Sequence, residues 1–246
     1  MRAPDHTIPA PPFPRGLPWV NSAALRMDQQ RGRAVLVEFW DFCRVNSLRT
    51  LPYLRAWHGR YADAGLRVIG VHCGAYPPSR DEDEVRAAVA RLGVPYPVVI
   101  DTDLRVWDDY GNEGWPARYL WDTRGALFSL HYGEGAYAET ERELQELLDV
   151  KRDLVAPVRP EDDPEALLAP QTSDQPGAYS GPYEAGGVWA VLSGRGELVV
   201  DGRTLAIEAP GCHPLVEHPR RTRGRLELAP GPGVEVLATC FTPGLA

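Results

Sequence analysis

Four cysteines are the residues of this chain best suited to covalent chemistry: Cys43, Cys73, Cys212 and Cys240. Cys43 lies in EFWDFCRVNSLRTLP, where an apolar run gives way to a helical pattern. Backbone N–H groups at the start of a helix favour a thiolate, and the neighbouring Arg44 cation acts in the same direction. Such a thiolate attacks disulfides or peroxides. Cys73 closes the run LRVIGVHC and is the candidate resolving thiol. If the two runs form adjacent parallel strands, both cysteines lie at the carboxyl edge of a sheet, where ligands gather in open α/β folds. A disulfide between them requires Cα atoms within about 7 Å. His72 beside Cys73 could activate a thiol or bind metal, although a histidine at a strand end is more often simply hydrogen-bonded. Asp41, Arg44, Asn46 and Arg49 make the region polar, and Arg44 at a helix N-terminus suits an anion or polar ligand. Glu38, inside the apolar run, is expected to be a buried acid with a raised pKa.

The elements that must position these residues are readable from periodicity. AVLVEFW is a continuous apolar run of strand length, and SLRTLPYLRAWHGRYADAG carries Leu48, Leu51, Leu54 and Trp57 at helical spacing, stopped by Gly65. LRVIGVHC reads as a second buried strand. SRDEDEVRAAVARLG reads as a helix with Ser79 as its N-cap, acids in its first turn and Gly93 past its end. YPVVIDT is a short strand, DLRVWDDYG a short helix, ARYLWDTRGALFSLHYG a hairpin turning at Thr123-Arg124-Gly125, and ETERELQELLDVKRDL an amphipathic helix. The order βαβαβαββα specifies an α/β layer with a mixed sheet. After Leu154 a Pro- and Asp-rich stretch leads to short alternating runs punctuated by Gly and Pro, the pattern of a small all-β sandwich. The expected organisation is an extended arm at 1–17, an α/β domain at 18–154, a linker at 155–180 and a β-sandwich-like module at 181–246.

Composition narrows the function classes. A formal net charge of -8 over 246 residues argues against nucleic-acid or acidic-membrane partners, which require a cationic face. Prolines break the first twenty residues, no apolar run of signal-peptide length occurs there, and no later run approaches a membrane span. The expectation is a cytoplasmic protein, whose cysteines are by default buried reduced thiols.

AVLVEFW, the following helix with Pro52 in its first turns, RVIGVHC, GWPARYLWDTRG and HYGEG, taken in order, resemble the redoxin and TlpA-like branch of the thioredoxin superfamily. The likeness spans about residues 15 to 150. It extends to the soluble part of DipZ-type proteins, where a β-sandwich follows the thioredoxin-like domain; the C-terminal HPLVEHPRRTRGRLELAPGPGVEVLATCFTPG resembles the end of that sandwich. The resemblance implies thiol-disulfide chemistry at CxxC on a protein substrate, or on a peroxide. Here those two positions fall on Arg44 and Ser47, and Cys43 stands one residue before the first. Three readings follow: Cys43 is an apolar filler in a scaffold that has lost its chemistry, a working thiol on its own, or half of a displaced pair with Cys73. The PxxxTxxC motif of peroxiredoxins is absent, leaving only a general thiol peroxidase activity with Arg44 or Arg118 as the cation. The resemblance further implies that Trp115-Pro116 is the cis-proline beside which extended polypeptide docks, and that Glu38 underlies the redox positions. Trp40, Arg44, Ser47 and Trp115 are then the candidate ligand-binding residues, with Cys43, Cys73 and Pro116 as the candidate catalytic set. No cofactor is implied.

In the β module, Cys212, His213, His218 and Cys240 offer soft ligands, but Pro214 and Pro219 interrupt the spacing and no CxxC, HxH or HxxxH is present, so no metal site is expected. Trp189 and Tyr183 are expected to be core or contact aromatics in a binding or assembly module.

Overall fold

The computed structural model describes residues 1–3 and 7–246. The chain divides into two compact units: the first comprises residues 1–42, 46–75 and 79–156, and the second comprises 43–45, 76–78 and 157–246. Among the described residues no helix is long and apolar enough to cross a membrane.

The first unit is built on a six-stranded mixed sheet. Its elements are β1 (Trp19–Val20), β2 (Ala34–Trp40), α1 (Val45–Tyr61), β3 (Leu66–His72), α2 (Glu82–Arg91), β4 (Val98–Ile100), α3 (Arg105–Asp109), β5 (Ala117–Trp121), β6 (Leu127–Tyr132) and α4 (Tyr137–Leu148). The strand order is β1-β4-β3-β2-β5-β6, with β2, β3 and β4 parallel and β1, β5 and β6 antiparallel to their neighbours. β2 lies inside the sheet with all seven residues buried, which is why AVLVEFW is apolar throughout rather than alternating. On one face, Val35, Val37 and Phe39 pack with Ile69, Val71, Val99, Tyr119 and Trp121. This is an α/β thioredoxin-like fold with a mixed sheet.

Two features lie outside the periodic pattern. β1 is only two residues long and edges the sheet against β4, too short to leave a signature in sequence. Two described N-terminal residues bond to β6, Ala3 N–H donating to the Phe128 carbonyl and the Ile8 carbonyl accepting the Leu127 N–H. Unpaired edge groups that would otherwise invite another strand are thus occupied.

Ser79 does not cap α2. It lies in a 3-10 turn at Pro78–Arg80, and Asp81 is the N-cap, its Oδ1 accepting from the N–H of Asp83 at 2.9 Å and of Glu84 at 3.1 Å. A carboxylate competes well for this place because it answers both the orphan donors and the positive helix end.

The second unit contains β7 (Leu168–Ala169), β8 (Gln175–Pro176), β9 (Gly181–Gly194), β10 (Gly196–Val200), β11 (Arg203–Ile207), β12 (Gly211–Leu226), β13 (Leu228–Pro230), β14 (Val234–Thr242) and β15 (Gly244–Leu245). They form antiparallel sheets β12-β9-β14-β8, β11-β10-β13 and β15-β7. The first two share a core of Ala190, Leu192, Leu198, Val200, Leu226, Val236 and Phe241, among others. HPLVEH and GRLELAP read as separate strands, but HPLVEH and the opening GRL of GRLELAP lie on one strand, β12, while LAP belongs to β13. Register shifts at Pro214/Val216 and Glu217/Thr222 absorb the prolines. Tyr183 is buried in this core and Trp189 is half-buried.

Candidate functional site

The carboxyl ends of β2 and β3 and the turn before α1 collect the groups singled out by sequence. In-register pairing sets Trp40 beside His72, and the Cys73 N–H donates to the Trp40 carbonyl at 3.1 Å. Cys43 lies two residues ahead of α1, and its side chain is fully buried. None of the four cysteines, all within the described residues, is disulfide-bonded.

The two positions aligned with CxxC have different fates. The Arg44 guanidinium lies over the Tyr76 ring, 5.2 Å from its centroid, a cation–π arrangement. Ser47 is 1 % exposed, and its hydroxyl accepts the backbone N–H of Asp41 at 3.2 Å. Ser47 therefore tethers the turn between β2 and α1 rather than presenting a reactive group.

Asp41 organises the facing loop. Its Oδ2 accepts from the Ala75 N–H at 2.8 Å and the Ser79 hydroxyl at 3.1 Å. Ser79, misassigned as a cap from sequence, is thus a second anchor of this carboxylate. The loop closes so tightly that a Cβ on Gly74 would meet the Ser79 carbonyl oxygen at 2.1 Å, so position 74 must be glycine.

His72 is hydrogen-bonded, with Nε2 accepting the Phe42 N–H at 3.3 Å while the ring stacks on Phe42. Burial pulls its pKa down to about 3. The imidazole is therefore neutral at physiological pH, and its 3.9 Å approach to Asp41 is not an ion pair.

Cys73 is held at the cis-proline loop. The Trp115 indole N–H reaches the Cys73 carbonyl at 2.9 Å and its sulfur at 3.2 Å, and the Trp115-Pro116 peptide bond is cis. Burial pushes the Cys73 thiol well above its ordinary pKa, with the indole hydrogen bond of Trp115 opposing and the charges of Asp101 and Asp41 adding to the rise. A thiol so placed is a poor nucleophile, because the thiolate is the reacting form. The structure brings together Trp40, Cys73, Trp115 and Pro116, and separately Ser47 with Asp41.

Beneath them lies Glu38, whose Cα partner across the β2–β5 ladder is Arg118. Glu38 is 0 % exposed, and among the described residues neither of its oxygens has a hydrogen-bond partner. Burial pushes its pKa up to about 8, with the Arg118 cation pulling the other way. Arg118 is itself 2 % exposed, donates to the Gly135 carbonyl and lies over the Tyr137 and Trp57 rings. A guanidinium so enclosed is a core cation rather than a peroxide-facing group. The pairing of an acid with an arginine on adjacent strands leaves no local sequence signal, and the strand register alone reveals it.

The cysteines of the second unit are held apart by the sheet. Cys212 on β12 and Cys240 on β14 flank β9 from opposite sides, facing Val191 and Trp189. Two strand spacings amount to about 9.6 Å, beyond disulfide reach. Burial pushes the Cys240 thiol up to about 12. Among the described residues no group of three or more His, Cys, Asp or Glu side chains is arranged to hold a metal ion.

Comparison with known proteins sets this geometry in context. The AhpC/TSA family profile matches residues 3–128. Protein DipZ of Mycobacterium tuberculosis is 29% identical over 289 aligned residues, covering 92% of this chain and 41% of that protein. The thiol-disulfide oxidoreductase ResA of Halalkalibacterium halodurans is 26% identical over 127 residues, 52% of this chain and 67% of that protein. The solved structure of a thiol:disulfide interchange protein DsbE from Chlorobium tepidum superposes with a TM-score of 0.51 at 20% identity, over 57% of this chain and 96% of that one. The chain spans less than half the length of the DipZ relative it matches.

Proposed function

The chain belongs to the AhpC/TSA family, and from that premise we propose that it is a redoxin-fold binding protein that has given up dithiol turnover. One observation carries the reading: the Ser47 hydroxyl is committed to the Asp41 backbone N–H, at one of the two positions, Arg44 and Ser47, that the family resemblance matches to CxxC. The family chemistry needs a low-pKa thiolate and a second thiol to resolve the mixed disulfide. Cys73 answers neither need, being buried, raised in pKa and bonded by Trp115. The retained partner class is a thiol- or disulfide-bearing polypeptide, docked in extended form beside Pro116.

A second reading keeps Cys43 as a lone thiol attacking a disulfide or peroxide, resolved by Cys73 or an external thiol. Its support is the place of Cys43 in the turn before a seventeen-residue helix, with Arg44 next in sequence. The complete burial of Cys43 opposes it.

Thiol reactivity separates the two. For the binding reading, the native chain at pH 7 resists iodoacetamide at Cys43 until it is unfolded and shows no insulin reductase or peroxidase turnover. Turnover that disappears in Cys43→Ser would overturn that reading and establish the second. Turnover unchanged in Cys43→Ser would reject both.

A further inference from the structure

The second unit carries a groove of about 440 Å³ lined by Pro170, Thr172, Tyr183, Glu184, Arg221 and Arg223, among others. That volume lies within the range of about 300–1,000 Å³ typical of small-ligand sites. Its floor is β9 and β12, paired so that Glu184 faces Arg223 and Tyr183 faces Gly224. One wall is the extended segment 170–172, fixed by the Thr172 N–H on the Glu184 carbonyl and by the Glu184 N–H on the Thr172 hydroxyl. The Tyr183 ring lies flat against Gly224, where any Cβ would come within 2.6 Å, so a larger residue at position 224 would displace that ring from the floor.

The charge of this face is opposite to that of the protein. The chain carries -8 overall, yet PRRTRGR at 219–225 holds four arginines and no acid. Glu184 braces two of them: one oxygen meets Arg221 and the other Arg223, the latter at 2.6 Å. Arg221 also donates to the Pro170 carbonyl at 3.0 Å. Arg223, its side chain 83% exposed, is held by one edge and keeps the rest of its planar fork towards solvent. Arg225 continues the same side of β12, two residues on.

The geometry points to a docking groove for an acidic polypeptide segment, whose carboxylates pair with Arg223 and Arg225 while its chain lies over Tyr183, Pro170 and Pro182. Glu184 decides the class of anion: with one carboxylate between two guanidiniums the groove floor carries about one net positive charge, which suits a carboxylate better than a doubly charged phosphate. The overall negative charge repels long polyphosphates at the distances over which they are attracted to basic proteins. The proposal is independent of the thiol site.

The test is fluorescence anisotropy on the full chain with a fluorescein-labelled penta-glutamate peptide, against penta-glutamine and a ten-nucleotide oligothymidylate carrying the same label. Saturable binding of penta-glutamate, none of penta-glutamine, and weakening by about tenfold or more in Arg223→Glu are expected, since losing one charge-assisted hydrogen bond has about that effect. Arg225→Glu, also at an exposed position, serves as a second variant should the first disturb the fold. Equal binding of the glutamine peptide, unchanged affinity in both variants, tighter binding of the oligonucleotide, or no saturable binding would each overturn the proposal.

Discussion

Two buried titratable side chains in the first unit pull stability in opposite directions with pH. Glu38 has its pKa raised from 4.5 to about 8 in the folded protein, so the native state holds a proton that the unfolded chain has lost. Its contribution is full below 4.5 and is lost as pH rises towards 8. His72 behaves inversely: lowered from 6.5 to about 3, it contributes fully above 6.5 and loses that contribution as pH falls towards 3. Between 4.5 and 6.5 the two slopes oppose each other, and above 6.5 Glu38 acts alone. The urea midpoint of the native protein is therefore expected to fall between pH 6.5 and 8, and Glu38→Gln to abolish most of that fall; a midpoint equally pH-dependent in the variant would place the titration elsewhere. Replacing Glu38 by Gln is expected to change stability least below pH 4.5, where the acid is neutral in both folded and unfolded chains, and to be increasingly favourable relative to Glu as pH rises above it.

At the scale of elements, the turn between β2 and α1 is where the proposed loss of the dithiol can be tested. Restoring both sulfurs with Arg44→Cys and Ser47→Cys is expected to give a protein that reduces insulin with dithiothreitol where the parent does not, because the scaffold around the turn is otherwise that of the family. A double variant that folds yet stays inert would show that more than the motif has been lost. The cap of α2 offers a simpler measurement: Asp81→Ala is expected to cost about 1 kcal/mol by denaturant titration, and Ser79→Ala to leave the helix end intact while loosening the 74–79 loop. Sequence identified this helix but not its first residue, because Ser79 and Asp81 are both good caps and the choice was made by Asp41, thirty-eight positions before Ser79 and invisible to a local pattern. The strands β2 and β3 were legible as continuous apolar runs of strand length, and helix α1 because its apolar residues repeat with the helical period. β1 was not, having two residues and no period, and neither was the union of two runs into β12 through its irregular register.

Taken whole, the molecule packs buried apolar side chains within each of its two units. Leu198, fully buried in the second core, is expected on truncation to alanine to cost about 2–5 kcal/mol and to speed amide exchange in β9 and β10. Unchanged exchange there would mean that β10 contributes little to that core. The candidate site was legible in its members but not in its bonds: Cys73, Trp115 and Pro116 were each identified, whereas the reach of an indole from the cis-proline loop to a sulfur beyond β3 depends on chain folding over forty-two residues. That reach also makes the protein an optical instrument. Trp115 is one of seven tryptophans, and a thiol set 3.2 Å from its ring nitrogen drains the excited state of the indole. Cys73→Ala should therefore brighten the emission of the native protein, and any event that draws the loop away from the sheet should be seen as light.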